Sequence, residues 1–124
     1  MRWVNVRKQA LAALAATVVV ASIVLLPAQA PASSHVITGS CTNGCRWRPQ
    51  TRRIRRGGRI VWRVPAGDTR HSVTAFRAGG SRRWSKDTDI APGRRTSHVF
   101  RRTGTYRFLC KYHPPMRGYV RVIR

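Results

Sequence analysis

From residue 33 onward, apolar residues alternate with polar ones in short runs, and no segment holds the spacing of an amphipathic helix. Arg59-Ile60-Val61-Trp62-Arg63-Val64 sets Ile60, Trp62 and Val64 on one face. His71, Val73 and Ala75 share a face of His71–Phe76. In Thr105–Cys110, Tyr106, Phe108 and Cys110 point one way while Arg107 points out. Further runs are Ser33–Ser40, Thr96–Phe100 and Gly118–Ile123, the last with Val120 and Val122 inward against Arg121. Turn signals separate them: Gly57-Gly58, Pro65-Ala66-Gly67, Pro92-Gly93 and Thr103-Gly104. Short strands at intervals of roughly ten residues, broken by Gly and Pro, predict an all-β sandwich. Cys41–Pro49 reads as a turn-rich loop, and Ala78–Ala91 as a long surface excursion.

The first thirty or so residues do not share this pattern. A short basic stretch with Arg2, Arg7 and Lys8 precedes a largely apolar run, Ala10–Leu26, and then small residues around Ala30-Pro31-Ala32-Ser33. That order is the order of an export signal, which divides the chain into a signal, 1–32, and a domain, 33–124. The run is longer than the usual signal core of about 7–15 residues and shorter than the roughly 20 of a spanning helix. An uncleaved anchor is therefore the alternative. Either way the domain is expected outside the cytoplasmic membrane: periplasmic, extracellular or attached to its outer face.

Three cysteines are consistent with an oxidising compartment. Cys41 and Cys45 are close enough to close a small loop around Asn43-Gly44, which leaves Cys110 unpaired. A leftover thiol in an exported chain calls for a metal or a reaction. Charge is the other extreme feature. Without Arg2, Arg7 and Lys8, 22 basic residues face Asp68, Asp87 and Asp89, a net +19. Such a surface attracts anionic partners. Arg outnumbers Lys 22 to 3 and is spread over the whole domain, as a compositional bias would spread it. No basic helix or stripe stands out, and Trp62, Tyr106 and Phe108 sit at strand-interior positions, so specific nucleic-acid binding is not expected. His35 and His98 lie in no motif and read as surface residues.

Cys110-Lys-Tyr-His113-Pro-Pro-Met116 carries the chemistry. A thiolate, an imidazole and a thioether converge on one loop, and His71 arrives from a distant strand. Two His, one Cys and a weak axial Met form the ligand set of an electron-transfer copper site. The mixture suits both copper oxidation states, and a site filled by four protein donors leaves no position for substrate. A tetrahedral zinc site from Cys41, Cys45, Cys110 and His113 is the competing metal reading, but it leaves His71 and Met116 idle. A copper-storage role has little support from a single Met and no His-rich tract in the domain.

The stretch Gly104-Thr-Tyr-Arg-Phe-Leu-Cys110-Lys-Tyr-His113-Pro-Pro-Met116-Arg-Gly118 resembles the C-terminal motif of cupredoxins of the plastocyanin and amicyanin family. The two-residue gap between His113 and Met116 is similar to the short amicyanin loop. Arg56-Gly-Gly-Arg-Ile-Val-Trp62 resembles the family's Gly-x-x-Val-x-Trp strand, and His71-Ser-Val stands where the family usually has His-Asn-Val. The likeness covers about Trp47–Arg124. It implies a cupredoxin-like Greek-key β-sandwich and one type 1 copper ion on His71, Cys110, His113 and Met116. The implied activity is transfer of single electrons between a donor and an acceptor protein, without enzymatic turnover, by a monomer. Ser72 departs from the usual Asn, whose contacts constrain the Cys loop. His113 is expected to present its ring edge to solvent as the electron port, within an apolar collar of Pro114, Pro115 and Pro65. Arg residues around the collar would steer an acidic partner. The reading from another class is a basic secreted binding module, with a structural metal or none, that attaches to anionic polymers or surfaces.

Overall fold

The computed structural model describes residues 16, 18–28 and 34–124, so most of the expected signal, 1–32, lies outside the described residues. Nine strands follow in chain order. They are β1 (Ser34–Ser40), β2 (Arg46–Arg48), β3 (Thr51–Arg55), β4 (Arg59–Arg63), β5 (His71–Phe76), β6 (Asp87–Ile90), β7 (Arg95–Val99), β8 (Gly104–Cys110) and β9 (His113–Ile123). They form two sheets, β2-β1-β4-β7 and β3-β9-β8-β5-β6. Both are mixed: β1 runs parallel to β4 and β3 parallel to β9, while the other pairs are antiparallel. The chain crosses repeatedly between sheets, as a Greek-key sandwich requires. Among the described residues no helix is long and apolar enough to cross a membrane.

The period of two decides what each strand buries. Ile37 from β1, Ile60 and Trp62 from β4, Val73 from β5, Phe108 from β8 and Val120 from β9 are all fully covered between the sheets. Their neighbours in sequence carry the charges, so the outward faces are largely Arg, Ser and Thr. Gly118 marks a tight passage. A Cβ there would lie 2.5 Å from the Gln50 carbonyl and 2.6 Å from the Phe108 ring, so β9 needs a glycine to lie against them.

Three strand expectations change. Cys41–Pro49 contains β2, a three-residue edge strand whose inward residue is Trp47, 2% exposed. Ala78–Ala91 is not all surface excursion, because Asp87–Ile90 forms β6 along the edge beside β5. The last strand begins at His113, five residues before Gly118. Each was obscured because one inward side chain is too few to reveal a period. His35 and His98 are half-buried, not surface residues. Each lies two positions before a core residue, Ile37 and Phe100, and so falls on the inward side.

Candidate metal centre

One end of the sandwich gathers the predicted donors. His71 opens β5, Cys110 closes β8 and His113 opens β9. Cys110 pairs in register with His113, across the tight turn Lys111-Tyr112. β5 lies beside β8, and the Ser72 backbone N–H points at Cys110 Sγ from 3.3 Å. Cys110 Sγ lies 3.8 Å from His71 Nδ1 and 3.4 Å from His113 Nδ1, and the three donor atoms lie within 4.8 Å of one another. Bonds of about 2.0–2.3 Å from nitrogen and thiolate sulfur to one central ion, spread in a plane, separate the donors by roughly 3.5–4 Å. The observed triangle has that size. Cys110 and His71 are wholly buried, whereas His113 is partly exposed, as expected of the ring nearest solvent.

Met116 follows three residues after His113 and is 1% exposed at this end of the core. β1 accommodates it through Gly39: a Cβ there would approach Met116 Cε to 3.0 Å and the Trp47 ring to 2.6 Å. Two imidazoles, one buried thiol and a nearby buried thioether fit a single type 1 copper ion.

Asp68 completes the arrangement, and sequence reasoning assigned it no role. Its carboxylate, with 6% of the side chain exposed, faces His71 Nε2 at 3.3 Å. It also accepts from Ser40 Oγ at 2.7 Å and from the backbone N–H groups of Thr69 at 2.8 Å and Cys41 at 3.2 Å. Burial alone would raise its pKa, but these hydrogen bonds together outweigh it and hold the group at about 2. Burial pushes His71 below its ordinary value, with Asp68 opposing. A neutral ring that donates its Nε2–H to the Asp68 carboxylate leaves the Nδ1 lone pair facing Cys110, the tautomer a metal ligand needs. The only hint in the sequence was an acid three residues before His71 on an acid-poor chain.

The Cys loop is braced from two sides. Ser72 Oγ accepts the Lys111 N–H at 2.9 Å, so the hydroxyl constrains this loop. β6 supplies the other brace. Lys111 Nζ lies 3.1 Å from Asp87 and 3.0 Å from Asp89, and the Tyr112 hydroxyl donates to Asp89. The hydrogen bonds to Asp89 and Asp87 push Lys111 up to about 12 and hold both carboxyls below their usual range. All three acidic residues of the chain thus lie at the metal end.

Cys41 and Cys45 are joined as a disulfide, which removes both thiolates from the zinc alternative. The bridge sits beside the site, with its sulfurs within 4.8 Å of a His113 ring nitrogen. Its loop residues Thr42, Asn43 and Gly44 line a groove with Pro65. Pro114 and Pro115 are exposed next to His113.

No family model and no curated protein sequence matches the chain. Solved structures do. The purple cupredoxin of Nitrosopumilus maritimus superposes with a TM-score of 0.62 at 22% identity, over 72% of this chain and 99% of that one. Amicyanin from Paracoccus versutus gives 0.60 at 24% identity, over 77% of this chain and 87% of its own. A copper-containing nitrite reductase from Thermus scotoductus gives 0.59 at 18% identity, over 74% of this chain but 23% of its own. With two mixed sheets, nine strands and these neighbours, the chain has the fold of a cupredoxin.

Proposed function

We propose that the protein is an exported carrier of single electrons, with one copper ion held by His71, Cys110, His113 and Met116. The observation that carries this reading is the triangle of Cys110 Sγ and two imidazole Nδ1 atoms at 3.4 and 3.8 Å, closed on its buried side. Copper bound there supplies a one-electron couple. The protein's own contribution is rigidity: Asp68 fixes the His71 ring, while Ser72 and the Asp87–Lys111–Asp89 bridge fix the loop. A site that moves little on gaining or losing an electron exchanges electrons readily. His113, the partly exposed ligand between the disulfide loop and Pro114-Pro115, is the exit toward a partner. The partners are redox proteins, and +19 on the domain favours acidic docking surfaces.

Replacing Cys110 with Ser tests the assignment. The wild type loaded with Cu(II) should show an intense visible thiolate band, and Cys110→Ser should lose it while remaining folded. A band that survives the change would refute the ligand set, and a wild type that never colours would favour the basic binding module. The rate with a physiological partner should fall as salt rises, because the Debye length shrinks to about 8 Å near physiological ionic strength.

A further inference from the structure

The end of the sandwich opposite the metal site carries cations without any acid. Two turns meet there, Arg55-Arg56-Gly57-Gly58-Arg59 and Phe100-Arg101-Arg102. Gly57 N–H donates to the Phe100 carbonyl at 2.7 Å and Phe100 N–H to the Gly58 carbonyl at 3.0 Å. The Tyr106 hydroxyl holds the second turn through the Arg102 carbonyl at 2.6 Å. Arg55, Arg56, Arg59, Arg101 and Arg102 are all exposed, and none forms a salt bridge among the described residues. β8 separates this pole from Cys110 by about 20 Å, at ~3.3 Å per residue.

The chain enters the domain at the same pole. Ser34, the first residue of β1, pairs with Arg59. Upstream lies the apolar run, and its described residues from Val18 to Leu26 include seven large aliphatic side chains 78–88% exposed. Residues 27–33 can span at most about 24 Å, at roughly 3.5 Å each. An uncovered apolar stretch tethered that closely to five exposed guanidinium groups matches an anionic bilayer in both parts: hydrocarbon for one, headgroups for the other. Nucleic acid fits less well. Base stacking needs exposed aromatics, and the exposed aromatic among the described residues, Tyr112, sits at the metal pole.

We infer that the Arg55–Arg59 and Arg101-Arg102 turns form a docking surface for anionic lipid headgroups. In that pose the domain stands on its basic pole and turns His113 away from the membrane toward soluble partners. The inference needs no metal and is independent of the electron-transfer reading.

Flotation of the metal-free full chain with phosphatidylcholine vesicles, with and without phosphatidylglycerol, tests it. Each Arg near an anionic surface contributes about fivefold in binding. Anionic lipid should therefore strengthen binding at least tenfold, and high salt should remove that gain. A variant with Arg55, Arg56, Arg101 and Arg102 changed to Ser should lose the gain. A variant with Arg48, Arg63, Arg94 and Arg95 changed to Ser, equal in charge, should keep it. Amides of Gly57, Gly58 and Arg102 should exchange more slowly on anionic vesicles, and those of Lys111 and Tyr112 should not. Equal loss in both variants would show that net charge alone is responsible and overturn the inference. So would slowed exchange at Lys111-Tyr112, or tighter binding to single-stranded DNA than to the vesicles.

Discussion

The two ends of the core bury comparable side chains by different means. At the far end Trp62, Trp84, Phe100 and Tyr106 pack ring against ring, with centroids 4.7–6.4 Å apart. At the metal end the buried groups include His71, Ser72 and Cys110, with Asp68 behind them, each engaged in hydrogen bonds. Phe108 touches both, 5.4 Å from Trp62 and 5.6 Å from Trp47. Apolar packing stabilises without fixing an orientation to a fraction of an ångström, whereas a chain of hydrogen bonds fixes one ring nitrogen and one sulfur. The far end therefore supplies stability, and the metal end uses some of it to hold a site.

The sharpest way to break this division is Trp62→Ala. The side chain is fully buried and packs against the rings of Trp84, Phe100 and Phe108. Its removal should cost about 3–5 kcal/mol of unfolding free energy. Copper affinity of the molecules that remain folded should stay within a few-fold of wild type. A large loss of affinity would show that Phe108 transmits packing from one end to the other.

Asp68→Asn probes the opposite end with a smaller effect on stability. Hydrogen bonds to a charged group contribute ~1.5–3 kcal/mol, so a loss of about 2 kcal/mol is expected. Copper affinity should fall about 10–100-fold, because the His71 ring loses its anionic anchor. The two effects rank in reverse order to those of Trp62→Ala, which is the point of the pair. Asp68 also imposes a pH dependence. Its folded value of about 2 lies below the ordinary carboxyl value of ~3.9, so its contribution is complete above that value and disappears as pH falls toward 2. Denaturant titrations of the metal-free protein between about pH 5 and pH 2 should show a steeper acid loss in wild type than in Asp68→Asn. Parallel curves would mean that Asp68 is not held as an anion.

The metal end was also the more legible of the two in the sequence. Cys110, His113 and Met116 lie on one short segment, so their spacing alone proposes a chemistry, and His71 follows from the strand it opens. β4, β5 and β8 were readable because each carries at least two inward apolar residues in alternation. β2, β3 and β6 were not, since each buries one large apolar side chain, Trp47, Ile54 and Ile90, among charged or small neighbours. β3 is held by its parallel pairing with β9, a contact between segments some 68 positions apart in register, Thr51 with Tyr119, that no local pattern encodes. The same limit hid Asp87 and Asp89. Their function depends on Lys111 and Tyr112, which the edge strand reaches only in three dimensions.

The smallest effect concerns His98, at the aromatic end. Its ring packs 4.7 Å from Phe100 and 5.3 Å from Trp84. Burial lowers its pKa, and the nearby Lys86 ammonium lowers it further. Lys86 itself is held by Thr96 Oγ1 at 3.0 Å and the Ser97 carbonyl at 3.2 Å, so the cation is fixed beside the ring by its own partners. The folded value of His98 thus lies below the unfolded one of ~6.5. The unfolded chain takes up the proton first, and stability that is complete above about pH 6.5 declines as pH falls toward the folded value. The aromatic end, which supplies stability mainly by ring packing, would then carry a titratable weakness. His98→Phe keeps an aromatic ring in the slot and removes the proton. Wild type and variant should be compared metal-free at about pH 8 and about pH 5, on either side of the free value. The gap in stability should move in the variant's favour at the lower pH, while Asp68, ionised at both values, contributes nothing to the difference. The other histidines are common to both proteins, so the difference isolates His98. An unchanged gap would mean that the ring keeps its ordinary affinity for the proton, and that the aromatic end is as indifferent to pH as its packing suggests.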